Sequence, residues 1–287
     1  GTMIDRLERT FDTLDRLERH WGHFYNWYDT KTLAPLPPLY VSTVDSGNML
    51  GCLVAVRQAL IEKAGTAVIG PEAALGLSDA LGLAAESGVV DVSRLKALLD
   101  APTPIDLPGW RAWLDRVEDE AGRLEEETAA SDRPGDQATA RTWLRKLVEQ
   151  AVDHRRNLES LAGQESGPVP TLKALAASRP AASALAARMA SLADRADAMG
   201  RAMDFRPLYK KERNLYTIGC NLTQGRLDGA CYDLLASESC LTSYLTICRG
   251  DAPRKHWFQL GRPFVRAAGS IGLISWGGTM FEYLMPR

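Results

Sequence analysis

Two stretches rich in aromatic residues carry side chains suited to a neutral, hydroxyl-covered ligand. The first runs Tyr25-Asn26-Trp27-Tyr28-Asp29-Thr30 and resumes as Ser42-Thr43-Val44-Asp45-Ser46-Gly47-Asn48. Sugars present apolar C–H faces and a rim of hydroxyls, so a sugar site needs flat rings beside acids and amides that accept and donate in fixed directions. Trp27 and Tyr28 supply rings here, and Asp29, Asp45 and Asn48 supply polar groups. A purely structural reading of the same residues makes Asp45 a helix cap and Trp27 and Tyr28 core filling.

The second group is Asp228, Tyr232, Asp233 and Glu238. A helix is expected from Asp228 to Cys248; it sets Asp228 and Tyr232 on one face and turns Asp233 away. As structure alone, Asp228 caps that helix and Asp233 favours its positive end. The third group is Ser275-Trp276-Gly277-Gly278, leading to Glu282 and Tyr283. Glycines let backbone approach a ligand closely, Trp276 offers a stacking face, and a carboxylate framed by Phe281 and Tyr283 can have a raised pKa suited to general acid work. Glu282 is therefore the candidate catalytic residue, although an acid beside aromatics can equally be a salt-bridged core residue.

The elements that must position these groups follow from periodicity. Ile4, Leu7, Phe11, Leu14, Leu17 and Trp21 recur at intervals of three and four, which is the pattern of an amphipathic helix. Gly22 breaks it, and Pro35, Pro37 and Pro38 make the segment from about Phe24 to Thr43 a long ordered loop. Asp45 or Ser46 then caps a helix carrying Leu50, Leu53, Val54, Val56 and Leu60. From about Gly65 to Gly200 the composition turns to Ala, Leu, Arg, Asp and Glu, punctuated by prolines, and predicts a series of helices serving as scaffold. Within that span the aromatic residues are Trp110, Trp113 and Trp143. Phe205, Leu208 and Tyr209, then Leu215, Tyr216 and Ile218, read as a small hairpin around Lys210 to Asn214.

The totals exclude several classes. The 34 basic and 36 acidic residues give a net charge of −2, so no electrostatic footprint favours nucleic acid. No apolar run approaches the roughly 20 residues needed to span a bilayer, so the chain is expected to be soluble. The five cysteines lack CxxC spacing and the four histidines never pair at a ligand-like interval, so the cysteines read as buried small hydrophobes and no metal site is expected. GxSxG, P-loop, GxGxxG and HExxH motifs are absent, and no cofactor is expected.

The run HFYNWYDTKTLAPLPPLYVSTVDSGN, from His23 to Asn48, resembles the signature loop of the glucoamylase-like domain of cyclic β-1,2-glucan synthases and related endo-β-1,2-glucanases. MDFRPLYKKERNLYTIGCN from Met203 to Asn221, GRLDGACYDLLASES, HWFQLGRP and SWGGTMFEYLMP from Ser275 to Pro286 resemble the same family. Lys210 stands where the family pattern has an acid, and Cys231 and Cys240 replace other small or polar residues. The resemblance implies a mainly α fold, a partial (α/α) six-hairpin toroid with a small β-hairpin, and a cleft for a β-1,2-glucan oligosaccharide. Residues 3–64 are then N-terminal helices with the glucan-binding loop, 65–200 a variable Ala/Leu-rich helical region, and 201–287 the hairpin, late helix and C-terminal Trp/Glu segment of the same barrel domain.

Further implications concern the parent protein. It is membrane-anchored on the cytoplasmic side of a bacterial inner membrane, with a glucosyltransferase before this domain and a phosphorylase-like domain after it. The domain performs transglycosylation that closes a linear glucan into a ring, using two carboxyl groups and an oxocarbenium-like transition state. The family domain begins before Ile4 and continues past Arg287, so the chain is expected to be truncated at both ends, to lack flanking segments with essential acids, and to be inactive alone. An endo-β-1,2-glucanase-type hydrolase and a non-catalytic glycan-binding or assembly fragment are the alternatives.

Overall fold

A computed structural model describes residues 2–130, 135–163, 166–233, 237–261 and 264–273. In chain order the elements are α1 (Thr2–Arg16), β1 (Arg19–His20), β2 (His23–Phe24), β3 (Tyr40–Ser42), α2 (Thr43–Gly65), α3 (Pro71–Ala85), α4 (Ser93–Asp100), α5 (Leu107–Ala129), α6 (Gln137–Ala162), α7 (Leu172–Ala176) and α8 (Pro180–Ala202). A 3₁₀ turn at Arg206–Leu208 follows, then β4 (Tyr209–Lys210), β5 (Leu215–Tyr216), β6 (Gly219–Asn221), β7 (Arg226–Leu227), α9 (Cys240–Arg249), α10 (Lys255–Gln259), β8 (Phe264–Ala267) and β9 (Ser270–Leu273). The protein is mainly α with small antiparallel hairpins, and the described residues form no closed barrel. No helix among them is long and apolar enough to cross a membrane.

The chain divides into two compact units. One is Ile61–Ala190; the other joins Thr2–Leu60 to the described residues from Ser191 onward. The division falls inside α2 and α8.

The first unit is helical, and α5 with α6 forms its most extensive interface. Trp110, Trp113, Leu114, Val117, Ala121 and Leu124 fall on one side of α5, at the i, i+3, i+4, i+7 spacing of a core-facing stripe, and are buried. The Trp110 and Trp113 rings meet edge to face, with centroids 5.2 Å apart. Helix starts are capped by side chains that satisfy otherwise orphaned amides: Asp106 accepts from Gly109 N–H, Asp136 from Thr139 N–H and Thr171 from Ala174 N–H.

In the other unit, α1 docks through buried Ile4 and Phe11. Arg195 of α8 bonds Asp12 and Asp15, each at 2.8 Å, and lies over the Phe11 ring. The helical spacing does not extend to Trp21. With φ of 52° at Trp21 and 79° at Gly22, these two residues make the turn between β1 and β2, in the left-handed region that a tight two-residue hairpin demands. Helix α2 begins at Thr43, and its cap is neither Asp45 nor Ser46: Asp45 N–H donates to Ser42 Oγ at 3.2 Å. Helices α2 and α9 approach closely, since a Cβ at Gly47 would lie 1.8 Å from Thr242 Oγ1.

The hairpin expected around Lys210 to Asn214 is present as β4 and β5, with Phe205 N-terminal to the 3₁₀ turn that precedes it. The helix expected from Asp228 is shorter than its periodicity suggests, because α9 starts only at Cys240. Ahead of it the backbone is engaged in strand pairing: Cys220 pairs with Leu227, Asp228 N–H donates to Gly219 O at 3.0 Å, and Tyr232 N–H donates to Tyr216 O at 2.9 Å. Amides held by other strands cannot close helical turns. The cysteines also divide: Cys220 and Cys231 are buried, but Cys52 and Cys248 are exposed, so they are not core residues.

Candidate functional site

One acid from each of the first two sequence groups, Asp45 and Asp228, is tied within the second unit to a three-stranded antiparallel sheet, ordered β3-β6-β7. Tyr40 pairs with Asn221, Val41 with Cys220 and Ser42 with Gly219. Side chains alternate along a strand, so Tyr40, Ser42 and Gly219 share one face, and Asp228, bonded to Gly219 just beyond β7, joins them. The Tyr40 ring lies over Gly219, where a Cβ would sit 2.3 Å from the phenol oxygen. Its hydroxyl donates to Asp228 Oδ2. Burial, and then this bond to a carboxylate, push the Tyr40 phenol well above its ordinary pKa.

Asp45 reaches the site from the first turn of α2. Asn26 ties it to the sheet: the Asn26 side-chain oxygen accepts from Ser42 N–H at 3.2 Å, its amide nitrogen donates to Asp45 Oδ2 at 3.5 Å, and its backbone N–H donates to Tyr40 O at 2.9 Å. Asn48, three residues after Asp45, shares the exposed face of that helix. A cleft of about 270 Å³ opens beside Asn26, Tyr28 and Asp45, with Leu14, Leu17 and Met49 as apolar wall.

Tyr232 is buried and feels the charges of these acids. Its hydroxyl is raised above the ordinary tyrosine value first by burial, then by the charges of Glu238 and Asp45, a hydrogen bond to Glu238, and the charge of Asp228. One phenol thus senses three carboxylates contributed by α2, by the residue after β7 and by the turn before α9. Such a group can hold several sugar hydroxyls at once, since each ionised carboxylate accepts and each phenol can both donate and accept.

The other loop residues are arranged differently. Trp27 is 51% exposed, presented by a tight loop in which Leu36 N–H donates to Trp27 O and Asp29 N–H to Ala34 O. Asp29 Oδ1 accepts from Lys31 N–H at 2.9 Å, Thr32 N–H at 2.7 Å and Thr32 Oγ1 at 3.0 Å. Those bonds, led by the Thr32 amide and hydroxyl, hold its carboxyl below the usual range and give it a turn-building part. Tyr28 donates to Glu18 O at 2.7 Å and accepts from Tyr25 N–H at 2.8 Å, so its hydroxyl is bound within the loop while the residue lines the cleft. Trp276, Glu282 and Tyr283 lie outside the described residues.

Sequence reasoning did not single out Tyr40, Lys210, Thr217 or Gly219 as site residues. Tyr40 carries one legible signal, its two-residue spacing from Ser42 just ahead of Asp45. The others act only through pairings with distant chain, which leave no local pattern. A second cleft, of about 300 Å³, lies in the helical unit, walled by residues such as Val68, Leu172 and Met189 with His154 and the Lys63–Glu72 pair. None of the residues singled out by the aromatic-rich stretches lines it.

No family model matches the chain. A curated relative, the cyclic beta-(1,2)-glucan synthase NdvB of Rhizobium meliloti (strain 1021), is 35% identical over 297 aligned positions, which cover 99% of this chain. The chain spans about 10% of that relative's length.

Proposed function

We propose that this chain is part of a carbohydrate-active domain that handles β-1,2-glucan, in the manner of the glucoamylase-like, ring-closing domain of a cyclic β-1,2-glucan synthase. The observation that carries the reading is the hydrogen-bonded chain from Asp45 through Asn26 and Tyr40 to Asp228, beside a cleft bordered by Tyr28, in a chain similar over 99% of its length to a segment of such a synthase. The site is uncharged in its ring surfaces and anionic in its polar groups, which suits a neutral ligand with many hydroxyl donors. In this reading Asp45, Asn48, Asp228 and Tyr232 hold hydroxyls, and the exposed Trp27 stacks on a sugar face, with Trp276 and Tyr283 adding ring surface. Asp29 shapes the loop that presents Trp27.

Glu282 is the candidate general acid, on the strength of its aromatic neighbours in sequence. The two flanks, residues 3–64 and 201–287, form one glycan-handling domain of a partial (α/α) toroid, interrupted by the helical insert 65–200. The parent protein is membrane-associated, with the domain on its cytoplasmic side.

Calorimetric titration of the chain with linear β-1,2-gluco-oligosaccharides tests the reading. Saturable binding that disappears in Asp45→Ala and Asp228→Ala is expected, with no binding of a β-1,4-linked control. Absence of heat with the β-1,2 ligand would refute it. In a longer chain that includes the proposed flanking segments, mass spectrometry of the products distinguishes the two reactions. In ring closure the glucan's own hydroxyl displaces its reducing-end segment, so each ring weighs one water less than the linear oligomer of equal length and no water is taken up, whereas hydrolysis adds one water per bond cleaved. Glu282→Gln should abolish either while leaving binding intact.

A further inference from the structure

We propose that Lys210 is a positioning residue whose ammonium sets the direction of the Asp228 carboxylate, an inference that rests on the glucan-handling reading of the site. Lys210 ends strand β4, and its side chain is turned to backbone: Nζ donates to Asp228 O at 2.6 Å and to Gly229 O at 3.2 Å. A lysine ammonium is strongly hydrated and flexible, so seating it on two successive carbonyls orders both partners.

A second group holds the same peptide. The fully buried Thr217 hydroxyl lies near three carbonyls, Asp228 O at 2.9 Å, Ala230 O at 3.2 Å and Gly219 O at 3.4 Å. Gly219 O and Ala230 O accept the Asp228 and Ile218 amides, at 3.0 and 3.3 Å, so the single Thr217 proton is left for Asp228 O. Lys210 adds a charged donor to that carbonyl and to Gly229 O. On the other side of the same residue, Asp228 N–H is held by Gly219 O at 3.0 Å. With both flanking peptide groups fixed, the Asp228 side chain leaves the backbone in one direction and meets the Tyr40 hydroxyl. Gly229 lies next in the chain, and a Cβ there would meet nothing within 4 Å. Without the ammonium, this permissive residue lets the 228–230 backbone rotate and the carboxylate lose its aim.

The test is a double-mutant cycle on the full chain, read by calorimetry with a linear β-1,2-gluco-oligosaccharide. Lys210→Met should weaken binding by about tenfold, the scale of hydrogen bonds made to a charged group, and Lys210→Arg, which keeps a cation with several donors, should restore most of it. In an Asp228→Asn background, already weakened, Lys210→Met should add little, because Lys210 acts through Asp228. A second readout needs no ligand: at neutral pH the ¹³C ring signals of Tyr40 in tyrosine-labelled protein should move in Lys210→Met toward those of a tyrosine with no carboxylate partner, and Lys210→Arg should return them. Additive losses in the cycle, or unmoved Tyr40 signals together with unchanged affinity, overturn the proposal. If the wild-type chain binds no glucan while the Tyr40 signals still move, the glucan reading fails and Lys210 is left as a tether of Asp228 alone. Should Lys210→Met not fold, Lys210→Gln, which keeps one amide donor group, takes its place in the same cycle with the same expected outcomes.

Discussion

Tyr40 and Asp228 are separated by 188 residues, yet each supplies the other's hydrogen bond, and small changes at this pair have sharply different consequences. Tyr40→Phe keeps the ring over Gly219 and removes only the hydroxyl. Bonds to charged groups contribute about 1.5–3 kcal/mol when well shielded, and the partial exposure of Asp228 discounts the expected loss below that range, to about 1 kcal/mol, read as a lower urea midpoint. Gly219→Ala should cost more, roughly 1–3 kcal/mol, because its methyl would stand 2.3 Å from the Tyr40 oxygen and the ring must shift. If Gly219→Ala proves milder than Tyr40→Phe, the ring does not occupy the slot described. Residue type draws attention to Asp45 and Asp228 in the sequence. Tyr40 has only its spacing from Ser42, because a tyrosine following prolines has no signature of the strand that will face it.

Among the helices, glycines divide into those that make room and those that only weaken. A Cβ at Gly47 on α2 would meet Thr242 of α9 at 1.8 Å, so Gly47→Ala must force these helices apart. Its expected cost is about 2 kcal/mol or more, the scale of overpacking in a tight core. Gly76 lies inside α3, where an added methyl would meet nothing within 4 Å, and Gly76→Ala should stabilise by about 0.5–1 kcal/mol through the lower backbone entropy of the unfolded chain. Thermal melts of the two variants beside the parent chain decide this, with shifts of opposite sign expected. The helix spans were readable because apolar residues recur at helical spacing. The shortened late helix was not, since its apolar pattern continues back through a segment whose amides Gly219 and Tyr216 had already taken.

Across the whole chain, mild acid should be destabilising. Burial lowers the pKa of His23, His154 and His256 below the ordinary value of 6.5. His256 is fully buried, with its ring nitrogens bonded to Asn214 O and Ser243 Oγ, each at 2.9 Å. As pH falls through 6.5, the unfolded chain takes up protons that these folded histidines still refuse, so the unfolded state binds more protons and unfolding becomes easier. The melting temperature should therefore fall between about pH 7.5 and pH 5.5, ahead of the more acidic range in which lowered carboxylates such as Asp204 and Glu120 lose their contributions. His256→Gln should flatten part of that slope. A melting temperature independent of pH over this interval would mean that the three rings accept protons in place.

The amino-acid sequence by itself determined the mainly helical class, the hairpin at Tyr209–Tyr216 and the concentration of rings and acids in the two flanks, because each depends on residues a few positions apart. Only tertiary structure decided that Asp45 and Asp228 would be joined through Asn26 and Tyr40, that Ser42 rather than Asp45 would cap α2, and that Lys210 would place its charge on carbonyls. The first of these depends on the pairing of β3 with β6, a long-range register in which every hydrogen bond joins chain segments that carry no trace of one another.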